Sequence, residues 1–281
     1  MSTSSTRVWL VTGVSSGFGR ALVEQILAAG DRVIGTARKP ETLADLVSRA
    51  PDQLQVLALD VADPVQVRAV VTEAAGIWGR LDVVVNNAGY GLVGALEEYT
   101  EAQIERNLAT NLMGPLYVMR AVLPLFRAQK SGHFVNLSAA AAISNYAGFS
   151  VYGGAKAGLE MVSESVRAET APLGIKVTLV EPGPFRTDFI GRSLERGAER
   201  LPDYDGTSGK FLGFLERING RQPGDPDRAA AAIVKVVQEP NPPFRLVLGN
   251  YAIGKTRRML AARGAELDTW EAAGMPMDFP A

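Results

Sequence analysis

The sequence predicts an α/β protein built as one doubly wound domain, a parallel sheet with helices on both faces. Three observations carry this. Short β-branched runs alternate with longer helical stretches as far as residue 249, the rhythm of βαβ units. Strand segments such as Val83-Val84-Val85 and Lys176-Val177-Thr178-Leu179-Val180 are nearly continuous apolar runs, as expected when both faces are covered. A glycine-rich turn follows the first strand and opens the first helix, where such sheets take their ligands.

Taken in order, the run 7–11 reads as strand, 18–29 as helix, 32–37 as strand and 41–49 as helix. Residues 55–59 are strand, 65–78 helix and 81–85 strand. One long helix is expected over 101–127, then a strand at 133–137, a helix at 152–170 and a strand at 176–180. A helix at 227–238 and a strand at 244–248 complete the sheet. Two segments break the rhythm. Residues 184–224 are rich in Gly, Arg and Pro, lack strand signals and follow a strand on the ligand-binding edge; a substrate lid is expected there. Residues 250–281 are an extension of the same domain, helical over 251–274. No linker or short internal repeat divides residues 1–249.

Bulk composition narrows the function. The chain has 281 residues, 47% hydrophobic and 21% charged, with a formal net charge of -1. Such a chain buries a core without staples, and its balance offers no electrostatic case for nucleic acid or an anionic membrane. It contains no cysteine, which removes disulfides and thiolate catalysis, and its single histidine, His133, speaks against a transition-metal site. His133 is expected at a turn far from any site. No run reaches the length of a membrane span, and the opening residues lack a signal-peptide core. A cytoplasmic protein is expected.

The glycine turn is Thr12-Gly13-Val14-Ser15-Ser16-Gly17-Phe18-Gly19. Its spacing lets backbone amides approach a pyrophosphate at a helix N-terminus, where the helix dipole favours negative charge. This is the Rossmann-type arrangement. An acidic residue at the end of the second strand would bond the ribose hydroxyl of NAD, whereas an arginine accommodates the extra phosphate of NADP. Here Ala37 stands where acid is expected and Arg38 follows, so NADP(H) is the expected cofactor.

Tyr152 and Lys156 are four residues apart at the start of a helix, which stacks them on one face. An ammonium beside a phenol favours the phenolate and makes tyrosine usable as an acid or base. Ser138 ends the preceding strand and is a candidate donor to a substrate oxygen. Two glycines, Gly153 and Gly154, lie between Tyr152 and Lys156. Each costs a helix about 1 kcal/mol against alanine, so this turn is expected to be close-packed or soft.

In their order, these motifs resemble the short-chain dehydrogenase/reductase family. Thr12–Gly19 is similar to its glycine turn, Asp60-Val61 to its adenine-holding pair, and Asn86-Asn87-Ala88-Gly89 to its motif after the fourth strand. Asn111, Ser138, Tyr152 and Lys156 resemble its catalytic set, and Pro182-Gly183 with Thr187 its nicotinamide-facing segment. The resemblance implies cofactor contacts from Gly13, Ser15, Ser16, Gly17, Phe18, Gly19, Arg38, Asp60, Val61, Asn87, Ala88, Gly89, Tyr152, Lys156, Pro182, Gly183, Phe185 and Thr187. It implies Tyr152 as general acid/base, Ser138 polarising the substrate oxygen and Lys156 on the nicotinamide ribose. Asn111 would hold the long helix around a proton-relaying water.

The reaction so implied is hydride transfer between NADP(H) and a secondary alcohol or ketone. Two other classes share the motifs: a nucleotide-binding regulatory protein without chemistry, and a dehydration or epimerisation on the same fold. Phe185, Phe189, Leu194, Phe211, Leu212 and Phe214 in the lid, with walls from 139–149 and 90–93, suggest an apolar small-molecule substrate. Helices 101–127 and 152–170 are the expected surfaces for any homo-oligomer. Glu97, Glu98 and Glu101 read as a solvated helix start, with a role near the pocket mouth as the alternative, Lys255, Arg257, Arg258 and Arg263 as a wet helix face, and Met161 as core.

Overall fold

The computed structural model describes residues 6–275, 277 and 279. Seven parallel strands form the main sheet in the order β3-β2-β1-β4-β6-β7-β9. These are β1 (Val8–Thr12), β2 (Arg32–Ala37), β3 (Leu54–Ala58), β4 (Val83–Asn86), β6 (Gly132–Leu137), β7 (Ile175–Pro182) and β9 (Arg245–Leu248). The order reverses between β1 and β4, and the crevice beyond the strand ends at such a reversal is where α/β sheets bind ligands. Register is set by the apolar runs: Trp9, Leu10 and Val11 pair with Val83, Val84 and Val85.

Alternate residues of each strand feed two cores. One packs Trp9, Val11, Val33 and Val85 under α1 (Gly17–Ala28) and α9 (Pro226–Gln238), with Leu46 of α2 (Ala44–Arg49). The other packs Leu10, Ile34, Val84 and Phe134 under α3 (Pro64–Ile77), α5 (Gly114–Gln129) and α7 (Ser150–Thr170). Burying a Leu, Val or Phe stabilises by about 1.5–3 kcal/mol each, so a one-residue slip of any central strand would forfeit several such contributions.

Four expectations are corrected by the fold. The helix expected over 101–127 is interrupted: α4 (Glu101–Leu108) passes through a π-helical turn at Ala109–Met113 before α5 begins. Pro115 has no N–H for an α-helical bond to Asn111; the turn widens, and the Gly114 N–H bonds the Ala109 carbonyl five residues back. The lid is not free of strand. β8 (Leu194–Arg196) pairs in parallel with β5 (Gly91–Val93), and α8 (Lys210–Ile218) follows. Three residues are too few to show alternation, and their partner lies a hundred residues away. At its base the segment is closed by Gly224 N–H to the Pro184 carbonyl, 3.1 Å, and Arg186 N–H to the Gly224 carbonyl, 2.9 Å.

Met161, expected in the core, is 59% exposed on α7. His133 is not in a turn but inside β6, buried between β4 and β7. The C-terminal extension is the helix α10 (Asn250–Gly274), which packs its first turns on α6 (Ala140–Ile143). No helix among the described residues is long and apolar enough to cross a membrane.

Candidate active site

The turn between β1 and α1 is built for close backbone approach. Gly13 has φ +72°, and a Cβ there would lie 2.7 Å from the Ala88 Cα; Gly17, at φ +54°, is the first residue of α1. No acidic residue occupies the first turn of α1, so its N-terminal amides and dipole are left for an anion. The turn is locked to β4. Thr12 Oγ1 accepts from the N–H groups of Asn87 and Ala88 at 3.0 Å, and Asn87 Nδ2 donates to the Thr12 and Gly13 carbonyls at 2.8 and 3.0 Å.

A cavity of about 910 Å³ opens from this turn. Its walls hold Gly13, Ser15, Ser16, Gly17, Phe18, Arg38, Asp60, Val61, Asn87, Ala88, Gly89, Pro182, Gly183, Phe185 and Thr187, together with Asn111, Ser138, Tyr152 and Lys156. One expected residue is elsewhere: Gly19 does not face the cavity but packs inside the turn, where a Cβ would meet the Gly13 carbonyl oxygen at 2.2 Å. Asp60 turns its carboxylate onto the Ala62 N–H at 3.0 Å, shaping the loop after β3. Phe18 and Phe185, both in the cavity wall, meet at a tilt of 59° with 5.1 Å between centroids.

The π-turn sets the floor. Asn111 is fully buried and its Nδ2 donates to the Tyr90 carbonyl at 2.9 Å and the Asn107 carbonyl at 3.1 Å. Its Oδ1 has no partner, and any side chain at Gly89 would run into it. Lys156, buried, donates from Nζ to the Leu137 carbonyl at 2.8 Å. Burial brings its ammonium down to about 8.

Tyr152 departs from the electrostatics the sequence suggests. Burial pushes its phenol well above the ordinary tyrosine value, and no charge offsets that shift; the Lys156 charge is spent on a carbonyl instead. The phenol is therefore protonated at neutral pH, able to donate though a weaker acid than a free tyrosine, and the phenolate that a base would need is scarce. Ser138 also departs. Its hydroxyl donates to Glu160 Oε1 at 2.5 Å, so its one proton points at a buried carboxylate of α7. Glu160 and Glu181 sit together near Arg245, at 3.8 and 3.4 Å from its Nε. Burial raises both, with Glu181 reaching about 7.

One side of the cavity is aromatic. Tyr152, Phe149, Val93 and Leu215 share an apolar cluster with Ala139 and Ala141, flanked by Tyr146, Phe189 and Phe211. Phe189, Leu194, Phe211 and Phe214 line the cavity as the lid composition suggests; Leu212 packs behind them. Glu98, expected in solvent, is buried and ties down the segment 184–224: its carboxylate accepts from the N–H groups of Ala95 and Leu201 at 2.6 and 2.9 Å. Glu97 and Glu101 are exposed, as are Arg257, Arg258 and Arg263. Lys255 instead is buried, its Nζ 3.2 Å from the Tyr146 ring centroid.

The short chain dehydrogenase family signature matches residues 7–196. The chain belongs to the short-chain dehydrogenase family. It is 39% identical to the oxidoreductase BOA17 of Botryotinia fuckeliana over 261 residues, 92% of this chain and 95% of that protein. A crystal structure of a short-chain dehydrogenase from Streptomyces avermitilis superposes with TM-score 0.91 at 42% identity, covering 98% of this chain and all of that one. A metagenomic short-chain oxidoreductase solved with NADP superposes at TM-score 0.68 and 26% identity, over 86% and 96% of the two chains. This short-chain dehydrogenase is thus an oxidoreductase by family. Sequence reasoning missed Glu160 and Tyr251, and reached Tyr146 only as part of the wall 139–149, not as a partner of Tyr251. Glu160, eight residues after Tyr152 on the same helical face, carries a periodicity that could have found it; the two tyrosines meet across 105 residues and carry none.

Proposed function

We propose that this oxidoreductase uses NADP(H) and reduces an apolar secondary ketone, with Tyr152 as the proton donor. The observation that carries the reading is Tyr152 itself: a buried, neutral phenol on the aromatic wall of the cavity that begins at the glycine turn. The residues present suit a dinucleotide. Gly13 lets the turn fold down on Ala88, where any Cβ would clash, the first turn of α1 carries no acidic residue, and Arg38 stands exposed at the cavity edge with no ion-pair partner among the described residues. The solved relative that holds NADP supports the same class of cofactor.

A bound nicotinamide supplies the hydride. Lys156, one helical turn from Tyr152, would hold the adjoining ribose, and Gly13 to Phe18 the pyrophosphate. Arg38 would pair with the ribose phosphate, and Pro182, Gly183 and Thr187 would flank the nicotinamide. Tyr152 gives its phenolic proton to the substrate oxygen as that oxygen gains charge. Because burial favours the neutral phenol, the reductive direction finds its acid ready at neutral pH, whereas oxidation must first remove the proton. Ser138 contributes a second donor only when Glu160 is itself protonated and can give rather than receive. The aromatic lid excludes water from the transfer.

Tyr152→Phe tests this. It removes one oxygen and keeps the packed ring. Ketone-dependent NADPH oxidation should fall by about 10²–10⁴-fold, the contribution of a general acid, while NADPH affinity by fluorescence titration changes little. Wild-type turnover in this variant, measured where chemistry limits the rate, would end the assignment.

A further inference from the structure

The far end of the substrate cavity carries a polar pair for which the reaction has no use. From Tyr152 a row of rings leads away: Phe149 at 5.0 Å between centroids, then Tyr146 a further 6.2 Å on. Phe211 stacks on Tyr146 at 4.9 Å with the planes 10° apart. At the end of the row the Tyr146 and Tyr251 hydroxyls share a hydrogen bond of 2.9 Å. Both tyrosines line the cavity. Tyr251 stands in the first turn of α10, and Lys255, one turn on, lies on the same face.

Two features point to a ligand. Whichever phenol donates, the other keeps an O–H, and that proton has no acceptor among the described residues. Behind the pair sits Lys255, only 8% exposed, its Nζ 3.2 Å from the centre of the Tyr146 ring. Burial holds the Tyr146 phenol in its protonated form, so the pair presents a hydroxyl donor with a cation on the ring behind it. Arg258 also faces both Tyr146 and Lys255, and burial brings the Lys255 ammonium down to about 8, so it is still charged near neutrality. A buried ammonium is costly unless something compensates it, and here its partner is a ring in the cavity wall.

We propose that Tyr146 and Tyr251, backed by Lys255, form a second anchoring site for an oxygen acceptor, and that the substrate is an aromatic ketone with a phenolic oxygen opposite the reacting carbonyl. The inference rests on the reading of Tyr152 as proton donor, which places the carbonyl at the near end of the row. Phe149 meets Tyr146 and Phe211 edge-on while those two stack on each other, a wall of ring edges and faces that favours an aromatic molecule over a flexible chain.

The test is calorimetric titration of the NADP⁺-saturated protein with α-tetralone and with the tetralone bearing a phenol para to its carbonyl. The hydroxylated ketone should bind about tenfold more tightly, the worth of one hydrogen bond. Tyr251→Phe and Tyr146→Phe should each bring the ratio of the two affinities towards one, and Lys255→Met should lower it partway. Equal affinities in the wild type, failure of both ketones to bind, or an unchanged ratio in Tyr251→Phe would overturn the proposal. Tyr251 is 41% exposed and keeps its ring as Phe, so this variant carries the test even if Tyr146→Phe fails to fold. A lost preference beside an inactive Tyr152→Phe removes the anchor alone; an intact preference beside an active Tyr152→Phe removes the acid alone.

Discussion

Arg38 lies at the end of β2 with its side chain in solvent and no ion-pair partner among the described residues, and Ala37 beside it is buried and uncharged. A guanidinium so placed pairs with a ribose phosphate and has little to do with a ribose hydroxyl. A charge-assisted contact of this kind is worth about 1.5–3 kcal/mol. Arg38→Ala should therefore weaken NADPH binding by about 10- to 150-fold and leave NADH nearly unchanged, as read by fluorescence titration of both. Equal wild-type affinity for the two cofactors would sink the assignment. At this scale the site was legible where chemistry lies in short motifs: the glycine turn, Asn87 to Gly89, Tyr152 and Lys156 all face one cavity. What a motif does not encode is where a proton points. The Ser138 hydroxyl turns to Glu160 and the Lys156 ammonium to the Leu137 carbonyl, because α7 sets a carboxylate and β6 a bare carbonyl within their reach.

Between Tyr152 and Lys156 the two glycines of α7 have opposite surroundings. A Cβ at Gly153 would lie 2.3–2.4 Å from the Asn145 amide, and that amide is held in place by bonds to the Phe149 carbonyl at 3.1 Å and the Tyr146 N–H at 2.9 Å. A Cβ at Gly154 meets nothing within 4 Å, and its φ is not positive. So the first glycine is a packing requirement and the second an unused helical position. Gly154→Ala should raise stability by about 0.5–1 kcal/mol in urea denaturation, whereas Gly153→Ala should destabilise by more than that gain and depress turnover by moving Tyr152. A stabilised Gly153→Ala would show that the Asn145 contact gives way freely. Element positions were legible from period and length alone; the π-turn and the β5–β8 pair were not. One needs the clash of a proline with a particular carbonyl, the other a partner strand outside any sequence window.

Across the whole molecule, two buried titratable groups sit at opposite ends of the central strands and give stability opposite slopes with pH. His133 lies at the start of β6, far from the cavity. Thr178 gives its own proton to the Pro243 carbonyl at 2.9 Å, so the 2.9 Å contact with His133 must run from Nε2–H to Thr178 Oγ1. This leaves Nδ1 bare, buried and without a partner. Burial, with Lys176 and Arg7 adding repulsion, brings the imidazole from 6.5 down to about 3. Below pH 6.5 the unfolded chain takes up a proton that the folded chain refuses, so stability from this group is fully present above 6.5 and falls as pH drops towards 3. The slope is at most about 1.4 kcal/mol per pH unit. Glu181, at the cavity end of β7, does the reverse. Burial and the neighbouring Glu160 raise it from 4.5 to about 7, so the folded chain holds a proton that the unfolded chain has lost, and stability falls as pH rises from 4.5 through 7. Between 4.5 and 6.5 the two slopes oppose, and below 4.5 His133 acts alone of the pair. His133→Asn keeps a polar side chain beside Thr178 and removes the titration. Its stability relative to wild type should improve steadily as pH falls below 6.5, by about 1.4 kcal/mol per unit in denaturant titrations. Any fixed cost of the lost contact shifts that difference without tilting it. A difference between the two proteins that stays constant from pH 7 to pH 4.5 would mean that His133 protonates in the folded state without penalty, and that the acid limit of this dehydrogenase lies in its carboxylates instead.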